Sequence, residues 1–397
     1  MHVYDPLLKE LLESRPEWFK PVLQNARKHE LQILYTKIDR DSLNRPVFKS
    51  HQLLAQPKQY FYPASSIKLY AAILALQKLN ELDLPGLDKY TTMRIDSAYS
   101  GQTSVDSDSS SPNQQPSVAH YIKKLFLVSD NDAFNRLYEL LGQQYLNEEL
   151  WKRGMRETHL FHRLAINYST EQNRYTNPVT FYDGDHVIYE QGLVYNPNPL
   201  MLHIPGTLSG KGYIEDGQLI SGPKDFSEKN YSPMAELQKA LQLIFFPEAF
   251  SRGEQFGLKE DDYRFLYKYL SMLPRESRYP AYPDQETHYD SYVKFFIYGN
   301  SRDPIPANVR IFNKVGSAFG YLTDNAYIVD FDEGIEFLLS AVIYVNENQI
   351  FNDDNYEYKR IGIPFLAHLG QVIYEYERNR RRAFIPDLNR FMLQYDE

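Results

Sequence analysis

Ser65-Ser66-Ile67-Lys68 sets a hydroxyl and an amine three positions apart. On a helix that spacing puts both groups on one face, one turn apart. A serine at a helix start also lies among free backbone N–H groups, at the positive end of the dipole. Those are the needs of an activated serine nucleophile: an amine to take its proton and donors for the developing oxyanion. Ser129-Asp130-Asn131 adds a second hydroxyl beside an amide, and Lys314-Val315-Gly316-Ser317 adds a second amine followed by glycine. Each fragment alone has a plainer reading. Ser65, Ser129 and Asp130 are residue types that cap helices, and Lys314 reads as a solvated strand lysine. The serine–lysine spacing recurs at Ser221-Gly222-Pro223-Lys224 and Ser291-Tyr292-Val293-Lys294. Gly222 and Pro223 exclude the first from a helix interior, and the second lacks a helix start. Only Ser65 precedes a long apolar-faced helix.

The elements that must position these groups follow from periodicity. Helical patterns cover Pro6–Leu12, about 17–28, the stretch from Pro63 through Leu79, 117–127, 131–141, 144–153, 233–246, 260–272 and 358–382. Strand patterns cover 31–38, 46–53, 308–313, 325–331 and 335–345. Residues 168–231 differ, with Gly-containing turns, Asn196-Pro197-Asn198-Pro199 and short β-like pieces, and read as an insertion. The order predicts an α+β fold: an antiparallel sheet of about five strands, flanked by N- and C-terminal helices, plus a mainly helical lobe. The sheet lobe is expected from 1–62 and 305–397, and the helical lobe from 63–304. A cleft between them is the expected active site.

Composition narrows the chemistry. The 397 residues carry a net charge of −9, which argues against a chain-wide grip on nucleic acid. No apolar run reaches membrane-spanning length, and Met1-His2-Val3-Tyr4-Asp5 has no signal-peptide pattern. The chain has no cysteine, so thiol nucleophiles, disulfides and zinc–thiolate sites are excluded. His159 and His162 stand three apart without a third ligand at metal-binding spacing, so no metal is expected. Arg378, Arg380, Arg381 and Arg382 suit the negative end of the last helix better than a membrane or nucleic-acid patch. Tyr289, Tyr292, Phe295, Phe296 and Tyr298 read as core and sheet surface. A surplus of 33 Tyr and 23 Phe over 2 Trp has no sequence-level explanation.

The three motifs occur in the order known for class A β-lactamases and penicillin-binding proteins. With Pro63-Ala64 before Ser65, Asp132-Ala133 after Asn131, and Gly320 to Asn325 after Ser317, the chain resembles the serine β-lactamase and D-alanyl-D-alanine peptidase superfamily. The resemblance is closest to class A and spans residues 30 to 375. It implies that Ser65 is acylated and that Lys68 accepts or relays its proton, its pKa depressed by burial and by Lys314. It also implies that Ser129 passes a proton to the leaving amine, that Asn131 binds the substrate amide, and that Gly316 belongs to the substrate-binding strand. The N–H groups of Ser65 and Ser317 would form the oxyanion hole. No cofactor is implied. The expected substrate is a β-lactam or peptidoglycan-peptide amide, and the expected location is periplasmic or otherwise extracytoplasmic.

Two departures stand out. Val315 replaces the usual hydroxyl residue of the third motif, where Ser317 is the nearest compensating group. Class A enzymes also carry a loop glutamate that activates the deacylating water, whereas Leu160–Asn167 holds no carboxylate. Glu157 and Glu171 flank that stretch, and His162 is an alternative base or a structural histidine. Four readings therefore compete: a β-lactamase-like hydrolase, a cell-wall peptidase, a penicillin-binding or sensor protein that does not turn over, and a structural descendant with no reactive serine.

Overall fold

The computed structural model describes residues 5–56 and 58–395, so Met1–Tyr4 lie outside the described residues. Helices α1 (Pro6–Glu13) and α2 (Pro16–Leu23) lead into a hairpin of β1 (Gln32–Arg40) and β2 (Pro46–Leu53). A 3-10 turn, Ala64–Ile67, precedes α3 (Lys68–Leu82), which is followed by β3 (Thr92–Ile95), α4 (Val118–Leu127), α5 (Asn131–Leu141) and α6 (Gln143–Lys152). The short α7 (Thr170–Asn173) opens a β-rich stretch: β4 (Val179–Asp183), β5 (His186–Gln191), β6 (Leu208–Ser209), β7 (Gly212–Glu215), β8 (Gln218–Ser221) and β9 (Lys224–Asp225). After α8 (Met234–Phe245) and α9 (Glu260–Ser271) come β10 (Val309–Ala318), β11 (Tyr321–Asp330), β12 (Ile335–Tyr344), β13 (Ile350–Phe351) and α10 (Ile363–Asn379).

The main sheet has the order β10-β11-β12-β1-β2, antiparallel throughout, as the strand patterns at both chain ends predicted. Every residue of β11 and β12 is buried because both sheet faces are covered. On one face α1, α2 and α10 enclose Phe19, Tyr35, Val315, Phe337 and Phe365. On the other, α3, α5 and α8 share a larger apolar cluster with Phe312, Tyr327 and Leu338. Each such side chain contributes about 1.5–3 kcal/mol by leaving water.

Several boundaries differ from expectation. The third motif does not end a strand at 313 but lies inside β10, because pairing with β11 continues to Ala318 opposite Tyr321. The Ser65 segment starts as a 3-10 turn, and the α-helix begins only at Lys68. The final helix runs from 363 to 379, after a wider π turn at Tyr358–Gly362. Strand β3 went unrecognised in the sequence; its four residues pair with β4 in a three-stranded sheet with β5. The arginines at the end of α10 and just after it are tied to acids: Arg378 to Glu333, Arg380 to Asp39 and Glu377, and Arg382 to Glu377. Those pairs account for them as a helix end. Phe295 and Phe296 are core residues, although they come from irregular turns rather than a strand.

Candidate active site

Around Ser65 the backbone is held in an unusual shape. Ala64 has φ +48° and Ser129 φ +59°, a left-handed conformation that costs a non-glycine residue about 1–2 kcal/mol. Ser66 is buried and returns its hydroxyl to Pro63 O at 2.7 Å. Ser65 is half-buried and lines a cleft of about 830 Å³. Of the adjacent serines, only Ser65 lines the cleft.

Lys68 is completely buried at the start of α3, a helix apolar on nearly every side. Its Nζ donates to Ser129 O and to Asn131 Oδ1 (2.7 Å), with Ser129 Oγ 3.4 Å away. Lys314, on β10, donates from Nζ to the same Ser129 Oγ at 2.7 Å and to Val315 O at 2.9 Å. The Ser129 hydroxyl therefore sits between two buried lysine amines. Burial lowers Lys68 to about 7, with Asp130 opposing the shift. Burial, and then the charge of Lys68, hold Lys314 well below the lysine range. The depression of Lys68 is thus a matter of desolvation, and repulsion between the lysines weighs on Lys314.

Asp130, not Ser129, caps α5, accepting from Ala133 N at 2.8 Å. That frees the Ser129 hydroxyl for chemistry. β10 is an edge strand, so one row of its backbone groups is unpaired within the sheet. Its outer side lies against the Ala64–Ile67 turn at Gly316. A Cβ there would stand 2.4 Å from Pro63 O and 3.1 Å from both Ser65 N and Ser66 N. Only glycine permits that approach. Ser65, Asn131 and Ser317 all line the cleft, and Lys68, Ser129 and Lys314 form the hydrogen-bonded cluster behind it. All seven expected site residues therefore converge. The other two serine–lysine spacings do not join the cluster: Lys294 is buried on Leu270 O and Asn313 Oδ1, and Ser221 ends β8.

Val315 is buried in the apolar cluster beneath the terminal helices, facing away from the cleft. Strand alternation sends it to the opposite sheet face from Lys314 and Gly316. Ser317 reaches the cleft instead, with the Tyr358 hydroxyl beside it.

Residues 161–168 form one cleft wall. They are anchored by a buried pair in which Arg163 Nε meets Glu139 Oε1 at 2.5 Å and Nη2 meets Oε2 at 2.8 Å. Glu157 and Glu171 do not line the cleft, and Glu171 pairs with Arg174. His162 does line it. Its Nδ1 lies 2.5 Å from Arg163 O, so Nδ1 carries the proton and Nε2 is bare. That Nε2 is buried without a hydrogen-bond partner among the described residues. Burial, then the charge of Lys229, bring His162 down to about 4, so the ring is neutral at pH 7.

The opposite wall comes from the insertion and was not legible in the sequence. β7 pairs in parallel with β13, bringing Tyr213, Glu215, Lys224, Asp225, Glu228 and Lys229 to the cleft. The only advance signal was the aromatic-rich character of the 168–231 stretch.

The beta-lactamase enzyme family profile matches residues 22–197, which include Ser65 to Lys68 and Ser129 to Asn131. Among solved structures, a β-lactamase from Xanthomonas campestris is similar over 94% of this chain and 99% of its own, with 14% identity and TM-score 0.50. A class A β-lactamase from Clostridium kluyveri covers 91% and 98%, at 13% identity and TM-score 0.47. The β-lactamase of Streptomyces albus G covers 90% and 97%, at 14% identity and TM-score 0.45. No curated protein matches the sequence. The family match and the shared fold bear out the resemblance drawn from the motifs.

Proposed function

We propose that this relative of the serine β-lactamases is a serine-dependent acyl hydrolase, acylated at Ser65 by a β-lactam or a related cell-wall peptide amide. The observation that carries this reading is the hydrogen bonding of Lys68. A neutral amine has two N–H donors and one lone pair, and Ser129 O and Asn131 Oδ1 take both donors. The lone pair is left to accept the Ser65 proton as Oγ attacks the amide carbonyl. The oxyanion is then received by the N–H groups of Ser65 and Ser317. When the C–N bond breaks, the Ser129 hydroxyl gives its proton to the leaving nitrogen, and Lys68 returns the proton it took. Lys314 holds the Ser129 oxygen by its hydrogen bond during the exchange. On this reading residues 1–62 and 305–397 supply the sheet lobe, 63–304 the helical lobe, and the protein works outside the cytoplasm.

A second reading, slow or absent turnover as in a penicillin-binding protein or peptidase, is favoured by the 160–167 stretch. That wall has no carboxylate, and the bare nitrogen of His162 is buried. The test is incubation with a labelled penicillin, followed by mass analysis of the peptide carrying Ser65. Covalent mass on Ser65, absent in Ser65→Ala, is the expected result. Its release within minutes supports the hydrolase, and persistence for hours supports the alternative. No adduct and no hydrolysis would reject both.

A further inference from the structure

The turn between β10 and β11 consists of Phe319 and Gly320, with φ +54° and +81°. Two left-handed residues suit the twist of a hairpin, but a bulky side chain at the first of them is strained. Such a conformation persists where its surroundings over-determine it. Phe319 lines the cleft, and its ring meets Tyr62 edge-on with centroids 5.0 Å apart. Gly320 is buried. Its carbonyl accepts from Val345 N at 2.7 Å, and its N–H donates to the Tyr358 hydroxyl at 2.8 Å. Without that hydroxyl the buried N–H meets its bonding need only if the turn moves.

Tyr358 opens the π turn Tyr358–Gly362, a wide coil of the kind found at functional sites. That coil is seated on the same hairpin. Glu357 N donates to Val345 O at 3.2 Å, and Gly362 presses on Leu322 so closely that a Cβ would overlap Cδ1. Leu322 is the register partner of Ser317. Because the phenol oxygen accepts from Gly320, its own proton is free for the Ser317 hydroxyl beside it. One side chain thus bridges the strained turn and the end of β10. Next to that end, Gly316 abuts Pro63 O and the Ser65 backbone. We propose that Tyr358 is a positioning residue: by clamping the Phe319–Gly320 turn it fixes the Ser317 N–H against Ser65. The proposal rests on the acyl-hydrolase reading and adds to it a residue outside the three motifs.

Tyr358→Phe keeps the ring and deletes the hydroxyl. Acylation of Ser65 at saturating labelled penicillin should slow about tenfold, the scale of one lost hydrogen bond. The half-saturating concentration should change by no more than about twofold, because the clamp acts on the chemical step. Tyr356→Phe is the matched control. It removes the neighbouring phenol, whose oxygen accepts from Asn352 N at 2.7 Å, and should leave acylation unchanged. Amide exchange at Gly320 should quicken in Tyr358→Phe and not in Tyr356→Phe. Acylation of Tyr358→Phe within about twofold of the unmodified protein, or an equal fall in both variants, would overturn the proposal. Unchanged exchange at Gly320 would overturn it too. If the unmodified protein is never acylated, the hydrolase reading fails and the catalytic role of the clamp fails with it. Faster Gly320 exchange in Tyr358→Phe would in that case leave the clamp standing as part of the fold alone.

Discussion

Replacing Gly316 with alanine tests how the third motif works. The added methyl carbon would stand 2.4 Å from Pro63 O. Ordinary contact begins at about 3.4 Å, so strand or turn must retreat by about 1 Å. Pro63 O is backbone, and the neighbouring Ser65 N and Ser66 N at 3.1 Å are backbone too. No flexible side chain is available to yield. The retreat widens the gap between Ser65 and β10, which carries both Ser317 and Lys314. An oxyanion donor displaced from about 3 Å to about 4 Å is no longer a hydrogen-bond donor. Losing one such donor lowers the chemical step by about 10²–10³-fold, and overpacking costs about 1–3 kcal/mol of stability. The assay is the rate of labelled-penicillin incorporation at Ser65, measured beside the urea unfolding midpoint. Acylation within threefold of the unmodified protein would refute the proposed oxyanion geometry, whatever the stability result.

Four further predictions use other parts of the site. Acylation should rise with pH and level off above about 7, where Lys68 loses its proton; a flat profile from pH 5 to 9 would remove Lys68 as the base. The same depression has a stability consequence. Between about 7 and about 10.4 the unfolded chain holds a proton that folded Lys68 has lost, so this contribution to stability rises with pH across that window. Lys68→Met should abolish that slope in urea titrations at successive pH values. Val315→Thr should not improve substrate binding, because position 315 is buried away from the cleft. It should instead cost about 1–3 kcal/mol for the unpaired hydroxyl, and a lowered KM would contradict this. Glu139→Gln leaves the Arg163 guanidinium, only 1% exposed, without its carboxylate. It should cost about 3–5 kcal/mol and loosen the 161–168 wall, seen as faster amide exchange there; unchanged stability would count against the pair as the anchor.

The candidate site was legible in the sequence because its parts are local. Ser65 and Lys68 share one turn, Ser129 and Asn131 flank the Asp130 cap, and Lys314 and Gly316 share one strand face. The five strands were legible from alternation and β-branched runs, although β10 was read too short. Its second half, Lys314–Ala318, has mixed polarity and becomes strand only through its pairing with β11. The second cleft wall was hidden for a different reason. It depends on Gly212 meeting Ile350, a pairing that no local pattern announces. The tyrosine surplus also has a tertiary explanation. Tyr35, Tyr70, Tyr138 and Tyr327 are fully buried and direct their hydroxyls to Glu377, Ser232, Asn173 O and Glu336. Phenylalanine would fill those spaces but leave the partners unmet.

The sheet order has a consequence for how the chain is born. β1 and β2 leave the ribosome early, yet β1 gains its second neighbour only when Lys37 meets Phe337. A two-stranded hairpin is at best marginal alone, and at about 5–20 residues per second it waits on the order of tens of seconds for β12. Gly316 and Lys314 arrive in that same late stretch. Closure of the sheet and assembly of the nucleophile's surroundings are therefore one event. A chain released before β12 would have an open, sticky edge and an unfinished cleft beside Ser65, so a completed Ser65 site reports that synthesis and folding are complete.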